Sequence, residues 1–347
     1  MDFAFSDEQR LIGRSARKLL ERRGDLQPAR EVLESGAPYH EALWTDALGA
    51  GWPLTALPEE LDGEGYGLLE LAVLAEELGR VVAPIPFSST VYLAQSALLL
   101  AGEPETAADE RIGTAALWEP QGRGPRVPAR AQVANGRLTG VKRPVPDGMV
   151  ADYAVVLAGE QLYFAELDGV ERRPLEALDP TRPQAELSFD GAPCRPLGVT
   201  VDALLERAAV LFAFEQLGGA QRCLEMAVAY TKERHQFGRP IGSFQAVKHR
   251  LADMFVAIEL ARSNCYYGVW AVAGGAPDAA AAACGAHIAA TEAYAFAAQE
   301  NIHLHGGMGF TWDADPHLFL KRARSIELLL GSPPEWREQL MVHLEAA

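Results

Sequence analysis

The sequence has 347 residues, of which 31 are lysine or arginine and 47 are aspartate or glutamate, so its formal net charge is −16. This length exceeds what one small core can organise, and it predicts two or three subdomains. The acidic balance argues against a nucleic-acid partner, because phosphate backbones bind basic protein faces. Scattered cysteines and an N-terminus that lacks the basic and apolar parts of a signal peptide predict a soluble, cytoplasmic protein.

Residues 1–110 have the apolar spacing of helices. Ser6, with Gln9 three positions later, has the form of a capping box that begins the first helix. The helical spacing resumes at Leu69 to Leu78, after a break that is rich in glycine and proline. We therefore predict an N-terminal helical domain with a structural role.

The sequence pattern changes over residues 111–200. Short β-prone runs alternate there with turn pairs such as Asn135-Gly136, which predicts a small antiparallel β barrel or sandwich. The predicted strands lie within 114–118, 131–133, 137–141, 153–157, 162–166 and 185–189.

From residue 201 the pattern is helical again, which predicts a C-terminal helix bundle over 201–347. A helix over Ala203 to Glu233 is predicted, capped at Asp202. Gly218-Gly219 inside it indicates the close approach of another helix or a ligand. Further helices are predicted over 245–273 and 278–301, and from Asp315 or Pro316. The fold class is therefore α+β and mostly α, with domains at 1–110, 111–200 and 201–347.

Two motifs carry the chemistry. The first runs from Arg234 to Gln245 and places an arginine beside a Phe-Gly turn, where a guanidinium can bind a phosphate. A solvated loop between helices is the alternative. The second motif is His303-Leu304-His305-Gly306-Gly307-Met308-Gly309-Phe310. The pair His303/His305 could also suggest a metal, but no carboxylate at ligand spacing accompanies it, so no metal site is predicted.

The two motifs, in this order, resemble the signature of the acyl-CoA dehydrogenase family, and the resemblance extends over essentially the whole chain. It implies an FAD-dependent enzyme that converts an acyl-CoA thioester to the α,β-enoyl thioester, with an electron-transfer flavoprotein or a similar acceptor. The residues that match the family's FAD contacts are Arg234, Phe237, Gln245, His303, Gly306 and Gly307. Arg234 matches an arginine that reaches the FAD pyrophosphate across a subunit interface, and His303 stands where the family usually has glutamine.

The middle domain departs from the family pattern at two places. Trp118 precedes Glu119-Pro120, and Gln121 to Gly124 follow, where the family commonly has hydroxyl residues near the flavin. Pro144 and Pro146 occupy positions of an aromatic and a hydroxyl residue. Proline offers neither an N–H nor a hydroxyl, so fewer flavin contacts are expected from this domain.

The catalytic base of the family is missing at both of its usual positions. Alignment places Leu330 at the position of the C-terminal glutamate and Ala208 at the alternative position on the long helix. Neither side chain can accept a proton. Glu206 and Glu215 are weak candidates, because Glu206 lies about 200° around the helix from Ala208, and Glu215 fits an interhelical ion pair equally well.

Three interpretations remain open at this stage. In the first, a paralogous acyl-CoA dehydrogenase subunit supplies the glutamate, as in the short base-lacking subunits of bacterial heterotetrameric enzymes that act on steroid side-chain thioesters. In the second, a homomeric flavoprotein uses a non-standard base or a different chemistry. In the third, the chain is a non-catalytic subunit that stabilises its partner. The retained Arg234 and Gln245, together with the missing base, favour the first.

Overall fold

The computed structural model describes residues 5–122 and 124–345. Arg123, which belongs to the segment Gln121 to Gly124 where the sequence departs from the family pattern, lies outside the described residues. The chain forms two compact units. Unit 1 contains the N-terminal residues up to 26, residues 72–83 and the residues from 209 onward, and unit 2 contains residues 27–71 and 84–208. The three-domain division with boundaries near 110 and 200 stays a prediction.

Helices dominate both ends of the chain, as predicted. The α-helices are α1 (Asp7–Arg22), α2 (Gln27–Ser35), α3 (Glu41–Gly49), α4 (Leu68–Arg80), α5 (Ser96–Leu100), α6 (Pro104–Ala107), α7 (Val201–Glu233), α8 (Gln245–Gly274), α9 (Ala279–His305), α10 (Pro316–Leu329) and α11 (Pro333–Glu345). A π-helix over Ser88–Gln95 precedes α5. Within residues 5–122 and 124–345, no helix is both long and apolar enough to cross a membrane.

The caps of two helices test the predicted starts. At α1 the Ser6 hydroxyl accepts from the Gln9 backbone N–H at 3.1 Å and the Gln9 side chain accepts from the Ser6 N–H at 2.9 Å, which confirms the capping box. The cap predicted for the long helix was wrong. Helix α7 begins at Val201, and the Thr200 hydroxyl accepts from the Ala203 N–H at 3.3 Å. Asp202 lies in the first turn, where a negative charge favours the helix dipole.

The middle of the chain forms one mixed sheet of seven strands. Its strands are β1 (Gly113–Ala116), β2 (Gln132–Ala134), β3 (Arg137–Pro146), β4 (Tyr153–Ala158), β5 (Gln161–Glu166), β6 (Glu171–Leu175) and β7 (Gln184–Pro196). The order is β1-β4-β5-β7-β3-β2, and β6 also pairs with β7. The strands are antiparallel except for β1 and β4, which pair in parallel and correct the purely antiparallel prediction. The chain between β1 and β4 runs through β2 and β3, so it is long enough to bring β4 back beside β1 in the same direction.

A buried ion pair lies within unit 2. The Glu119 carboxylate accepts from Lys142 Nζ at 2.9 Å and from the backbone N–H groups of Arg130 and Ala131, each at 2.8 Å. Burial lowers the pKa of Lys142. Burial also acts to raise the pKa of Glu119, but its hydrogen bonds outweigh that effect and lower it. Glu119 is therefore a structural residue that fixes the segment before β2 against β3.

In unit 1, helices α4 and α7 touch through glycines. A Cβ added at Gly218 would lie 1.8 Å from the carbonyl oxygen of Glu76, and one added at Gly79 would lie 1.9 Å from that of Glu215. Only glycine permits backbones this close. The predicted reason for Gly218-Gly219, the close approach of another helix, is confirmed.

Candidate functional site

The first motif forms a β-hairpin directly after α7. Strands β8 (His235–Gln236) and β9 (Arg239–Pro240) pair in antiparallel orientation, and Phe237 and Gly238 form the tip. Both tip residues have positive φ, 52° at Phe237 and 77° at Gly238. This matches a two-residue hairpin turn of type I′, whose twist suits the paired strands. A bond from the Ile241 N–H to the Arg234 carbonyl, at 2.8 Å, closes the base of the hairpin.

Phe237 is presented to the outside by this turn. Its side chain is 91% exposed, and a phenylalanine in the left-handed region costs about 1–2 kcal/mol relative to an ordinary backbone conformation. The ring meets Phe244 edge-on at a centroid distance of 6.2 Å, and the Arg239 guanidinium lies 4.0 Å from the Phe244 ring. The hairpin is thus braced by side chains at its base, while its aromatic tip contacts water.

The hairpin and the start of α8 form a cationic surface on an acidic protein. Residues 234–250 include Arg234, Arg239, Lys248 and Arg250 and contain no aspartate or glutamate. Arg234 is exposed, and its guanidinium makes neither an ion pair nor a side-chain hydrogen bond with any residue that the structure describes. Such a group is available to a phosphate, which a planar guanidinium can bind through two parallel hydrogen bonds.

The second motif lies beside the first because the ends of α7 and α9 are in contact. The ring of Tyr230 stacks on His305 at 4.2 Å, and its hydroxyl donates to the His305 carbonyl at 3.4 Å. His305 Nδ1 lies 2.7 Å from the Asn301 carbonyl. Burial lowers the pKa of His305, so the ring is neutral at physiological pH and donates from Nδ1. This contact brings the loop after α9 close to the turn from which Arg234 projects.

The glycines of the second motif have two different roles. Gly306 has a φ of 60°, and a Cβ added at Gly306 or Gly307 would meet no described atom within 4 Å. A Cβ at Gly309, in contrast, would lie 2.8 Å from the Ile302 carbonyl. Gly306 and Gly307 therefore leave exposed backbone open to a ligand, whereas Gly309 serves packing.

His303 and Gln245 are both exposed on this surface. His303 Nδ1 lies 3.6 Å from the Glu300 carboxylate, and Arg250 Nε lies 3.7 Å from the same group. The described residues contain no cluster of three or more His, Cys, Asp or Glu side chains suited to a metal ion. The roles assigned to Arg234, Phe237, Gln245, His303, Gly306 and Gly307 as FAD contacts stay predictions.

The two predicted base positions are occupied by buried hydrocarbon side chains. Leu330 directly follows α10 and Ala208 lies within α7, and both are fully buried. Glu215 is buried as well, and its carboxylate accepts from the Arg322 guanidinium at 3.0 Å. The structure thus gives Glu215 an interhelical partner. Glu206 is half-buried in unit 2.

The sequence interpretation missed one notable residue, Arg207. It is half-buried on α7, and its Nε donates to the Ser96 hydroxyl at 3.3 Å. A signal was available in the sequence, because the positions three and four residues away on either side (203, 204, 210 and 211) hold only alanine, leucine and valine. No acidic neighbour on the same helix face can therefore pair with this arginine.

Comparison with known proteins places this geometry in a family. The chain matches the acyl-CoA dehydrogenase N-terminal domain over residues 6–109 and the acyl-CoA dehydrogenase C-terminal domain over residues 198–339. It is 36% identical over 338 residues to the acyl-CoA dehydrogenase IpdE2 of Mycobacterium tuberculosis, with 95% of each chain covered.

Two solved structures are similar over nearly the full length. The Tcur3481-Tcur3483 steroid ACAD matches with a TM-score of 0.90 and 32% identity over 98% of each chain. The ChsE4-ChsE5 complex from Mycobacterium tuberculosis matches with a TM-score of 0.90 and 29% identity over 100% of each chain. Acyl-CoA dehydrogenases are FAD-dependent oxidoreductases that act on acyl-CoA. These similarities agree with the helical ends, the central sheet and the two motifs. The chain therefore belongs to the acyl-CoA dehydrogenase family.

Proposed function

We propose that this chain is the base-lacking subunit of a heteromeric, FAD-dependent acyl-CoA dehydrogenase, and that a paralogous partner supplies the catalytic glutamate. One contrast carries the proposal. Arg234 is exposed and has no partner among the described residues, whereas Leu330 and Ala208 are buried hydrocarbon at both base positions. The chain keeps a surface for a dinucleotide and lacks the group that removes the proton.

The residues present fit the ADP half of FAD. Arg234 would neutralise a pyrophosphate charge, Gln245 would hydrogen-bond the ADP portion, and the open backbone at Gly306 and Gly307 would allow close approach. Bound FAD supplies the acceptor for the hydride that leaves the β-carbon. The exposed ring of Phe237 would lie beside the cofactor or against the partner.

The proton requires a separate residue. Removing the α-proton of a thioester takes a carboxylate within hydrogen-bond reach of that carbon. Leu330 and Ala208 offer hydrocarbon only, and the Glu215 carboxylate accepts from Arg322. We therefore assign the transfer of this proton to the partner's glutamate.

Two of the similar structures support the heteromeric part of the proposal. Each is named for two proteins, Tcur3481-Tcur3483 and ChsE4-ChsE5, and the second is called a complex. The first is called a steroid ACAD, which favours a bulky, steroid-derived acyl-CoA thioester as substrate. We further propose an electron-transfer flavoprotein or a similar protein as acceptor, and the cytoplasm as location.

The test is co-expression of this chain with the acyl-CoA dehydrogenase genes beside its own, followed by sizing and a visible flavin spectrum. A heteromer that holds flavin only with a glutamate-bearing paralogue is the expected result. In that heteromer Arg234→Ala should weaken FAD binding about tenfold or more, since a hydrogen bond to a charged group contributes about 1.5–3 kcal/mol. The control is Arg137→Ala, an exposed arginine that donates to the Gly191 carbonyl and should leave flavin content unchanged.

Other outcomes would redirect the assignment. Dehydrogenase activity of this chain purified alone would refute the partner's role and return Glu206 and Glu215 to consideration. A heteromer without flavin would instead support the stabilising subunit. Full flavin occupancy in the Arg234→Ala heteromer would contradict the role of that arginine.

A further inference from the structure

Arg207 carries a half-buried charge that no described residue neutralises. The residue belongs to the part of α7 that lies in unit 2, and its side chain is half-buried. Its one hydrogen bond to the described residues runs from Nε to the Ser96 hydroxyl, at 3.3 Å, and it forms no ion pair with them. A guanidinium has five N–H groups, so both terminal nitrogens have no acceptor among the described residues.

Three other buried or half-buried arginines have hydrogen-bond acceptors within the chain. Arg322 pairs with Glu215 at 3.0 Å, and Arg80 forms two hydrogen bonds with Glu225 at 3.0 and 2.6 Å. Arg172 donates to a set of backbone carbonyl oxygens. Arg207 has no such partner among the described residues, and its terminal nitrogens keep contact with solvent. Partial burial of the side chain lowers the pKa of Arg207.

Ser96 fixes one edge of the guanidinium and leaves the other edge open. The serine is buried, and its hydroxyl donates to the Val91 carbonyl at 3.1 Å, so its oxygen is oriented to accept from Arg207. It lies where the π-helix Ser88–Gln95 joins α5. π-helical turns are rare and occur frequently at functional sites.

We propose that Arg207, oriented by Ser96, binds a carboxylate. The free edge of a guanidinium matches the two oxygens of a carboxylate, and a single negative charge neutralises the single positive charge of the site. Arg207 is not fully buried, so a ligand can reach it from solvent. The ligand would supply the counter-ion that no described residue provides.

Two sources of this carboxylate share the same chemistry. One is a free small carboxylate, and the other is a carboxylate on the acyl group of a CoA thioester. The second rests on the proposed function and on Ala208, the next residue, which stands at one of the predicted base positions. In that case the site would favour acyl groups that end in a second acid.

The first experiment uses acetate as the probe and thermal stability of the full chain as the readout. Acetate should raise the melting temperature above the value in chloride at equal ionic strength, and the increase should level off once the site is saturated. Arg207→Met should abolish this difference between acetate and chloride. Arg173→Met is the control, since Arg173 is exposed and paired with Glu171 at 2.6 Å.

Two results would overturn the proposed site. They are an absent acetate effect in the wild type and an acetate effect that persists in Arg207→Met.

A second experiment identifies the source by comparing glutaryl-CoA with valeryl-CoA, which differ by a terminal carboxylate. Tighter binding of glutaryl-CoA by about tenfold in the wild type, and equal binding in Arg207→Met, supports the thioester source. Equal binding of both thioesters, with Arg207-dependent binding of free glutarate, assigns the free carboxylate. Flavin content is recorded in the same co-expressed samples. A missing flavin with an intact acetate effect contradicts the proposed function and leaves the Arg207 site standing.

Discussion

Two regions of unit 1 handle charge in opposite ways. At the α4–α7 contact, backbones approach through Gly79 and Gly218, and the buried Glu215 is neutralised by Arg322. At the hairpin after α7, Arg234 is exposed without a partner among the described residues, and Phe237 adopts a strained conformation with its ring in water. The first region is complete within the chain. The second leaves a charge and an aromatic ring exposed, as the proposed contacts with FAD and a partner require.

This difference teaches how to separate structural from functional charge in such a chain. A carboxylate near the expected reaction site is a poor candidate for a base when a buried arginine already holds it. An exposed arginine without a partner among the described residues, such as Arg234, is a better candidate for a ligand contact. The following changes test this separation.

The largest effect is expected from Glu215→Ala. The change leaves the buried Arg322 without its counter-ion and should lower the free energy of unfolding by about 3–5 kcal/mol, measured by urea denaturation. The double variant Glu215→Leu with Arg322→Met should recover most of that loss, because both charges are removed together. A stable Glu215→Ala protein whose heteromer has lost dehydrogenation would instead identify Glu215 as the base.

Next in size is Gly218→Ala. Its new Cβ would lie 1.8 Å from the Glu76 carbonyl oxygen, so α4 and α7 must separate, at a cost of about 1–3 kcal/mol in unfolding free energy. Gly285→Ala on α9 is the matched control, since its Cβ would lie 3.8 Å from the nearest atom. It should gain up to about 1 kcal/mol from helix propensity. Equal effects of the two variants would contradict the close contact.

A smaller effect of opposite sign is expected at the hairpin tip. Asparagine tolerates the positive φ of 52° at Phe237, so Phe237→Asn should stabilise the isolated chain by about 1 kcal/mol. The same variant should weaken heteromer formation or FAD binding, because the exposed ring is lost. Phe237→Ala removes the ring without relieving the backbone, so assembly that fails only in the alanine variant would argue against a contact by the ring.

The smallest effect concerns pH. Burial lowers the pKa of His305, so the unfolded chain, with an ordinary pKa of about 6.5, binds the proton more readily. The stability from the neutral ring is therefore present above pH 6.5 or so and lost as pH falls toward the folded pKa. Between about pH 7.5 and 5.5 the wild type should lose a few tenths to about 1 kcal/mol more than His305→Asn. Parallel pH profiles would place the sensitivity elsewhere.

Periodicity predicted most of the fold. The long helices and six of the strands lie close to their predicted ranges, because apolar spacing and turn residues are local signals. Strand β6, with the sequence Glu-Arg-Arg-Pro-Leu, was not predicted, because it is polar, contains proline and, among the described strands, pairs with β7 alone. Helix α11 was not predicted, because its start at Pro333-Pro334 has the sequence of a turn.

The site could be predicted only where it lies in continuous sequence. Arg234 and Gly306-Gly307 belong to motifs, and the structure brings the two motifs together through Tyr230 and His305. The ion pair of Glu215 could not be predicted from the sequence, because its partner Arg322 lies 107 positions away. A contact of that kind depends on how the helices pack.

Unit 1 is assembled from three separated stretches of chain, which has a consequence for synthesis on the ribosome. Helix α1 emerges first, but Glu77, which accepts two hydrogen bonds from Arg17, lies in the second stretch. The ring of Phe5 packs on Tyr266, which is released only near the end of translation. The N-terminal helix must therefore wait for most of the polypeptide. No single truncation can yield unit 1 as an autonomous fragment, and its isolation requires the three stretches to be joined by new linkers.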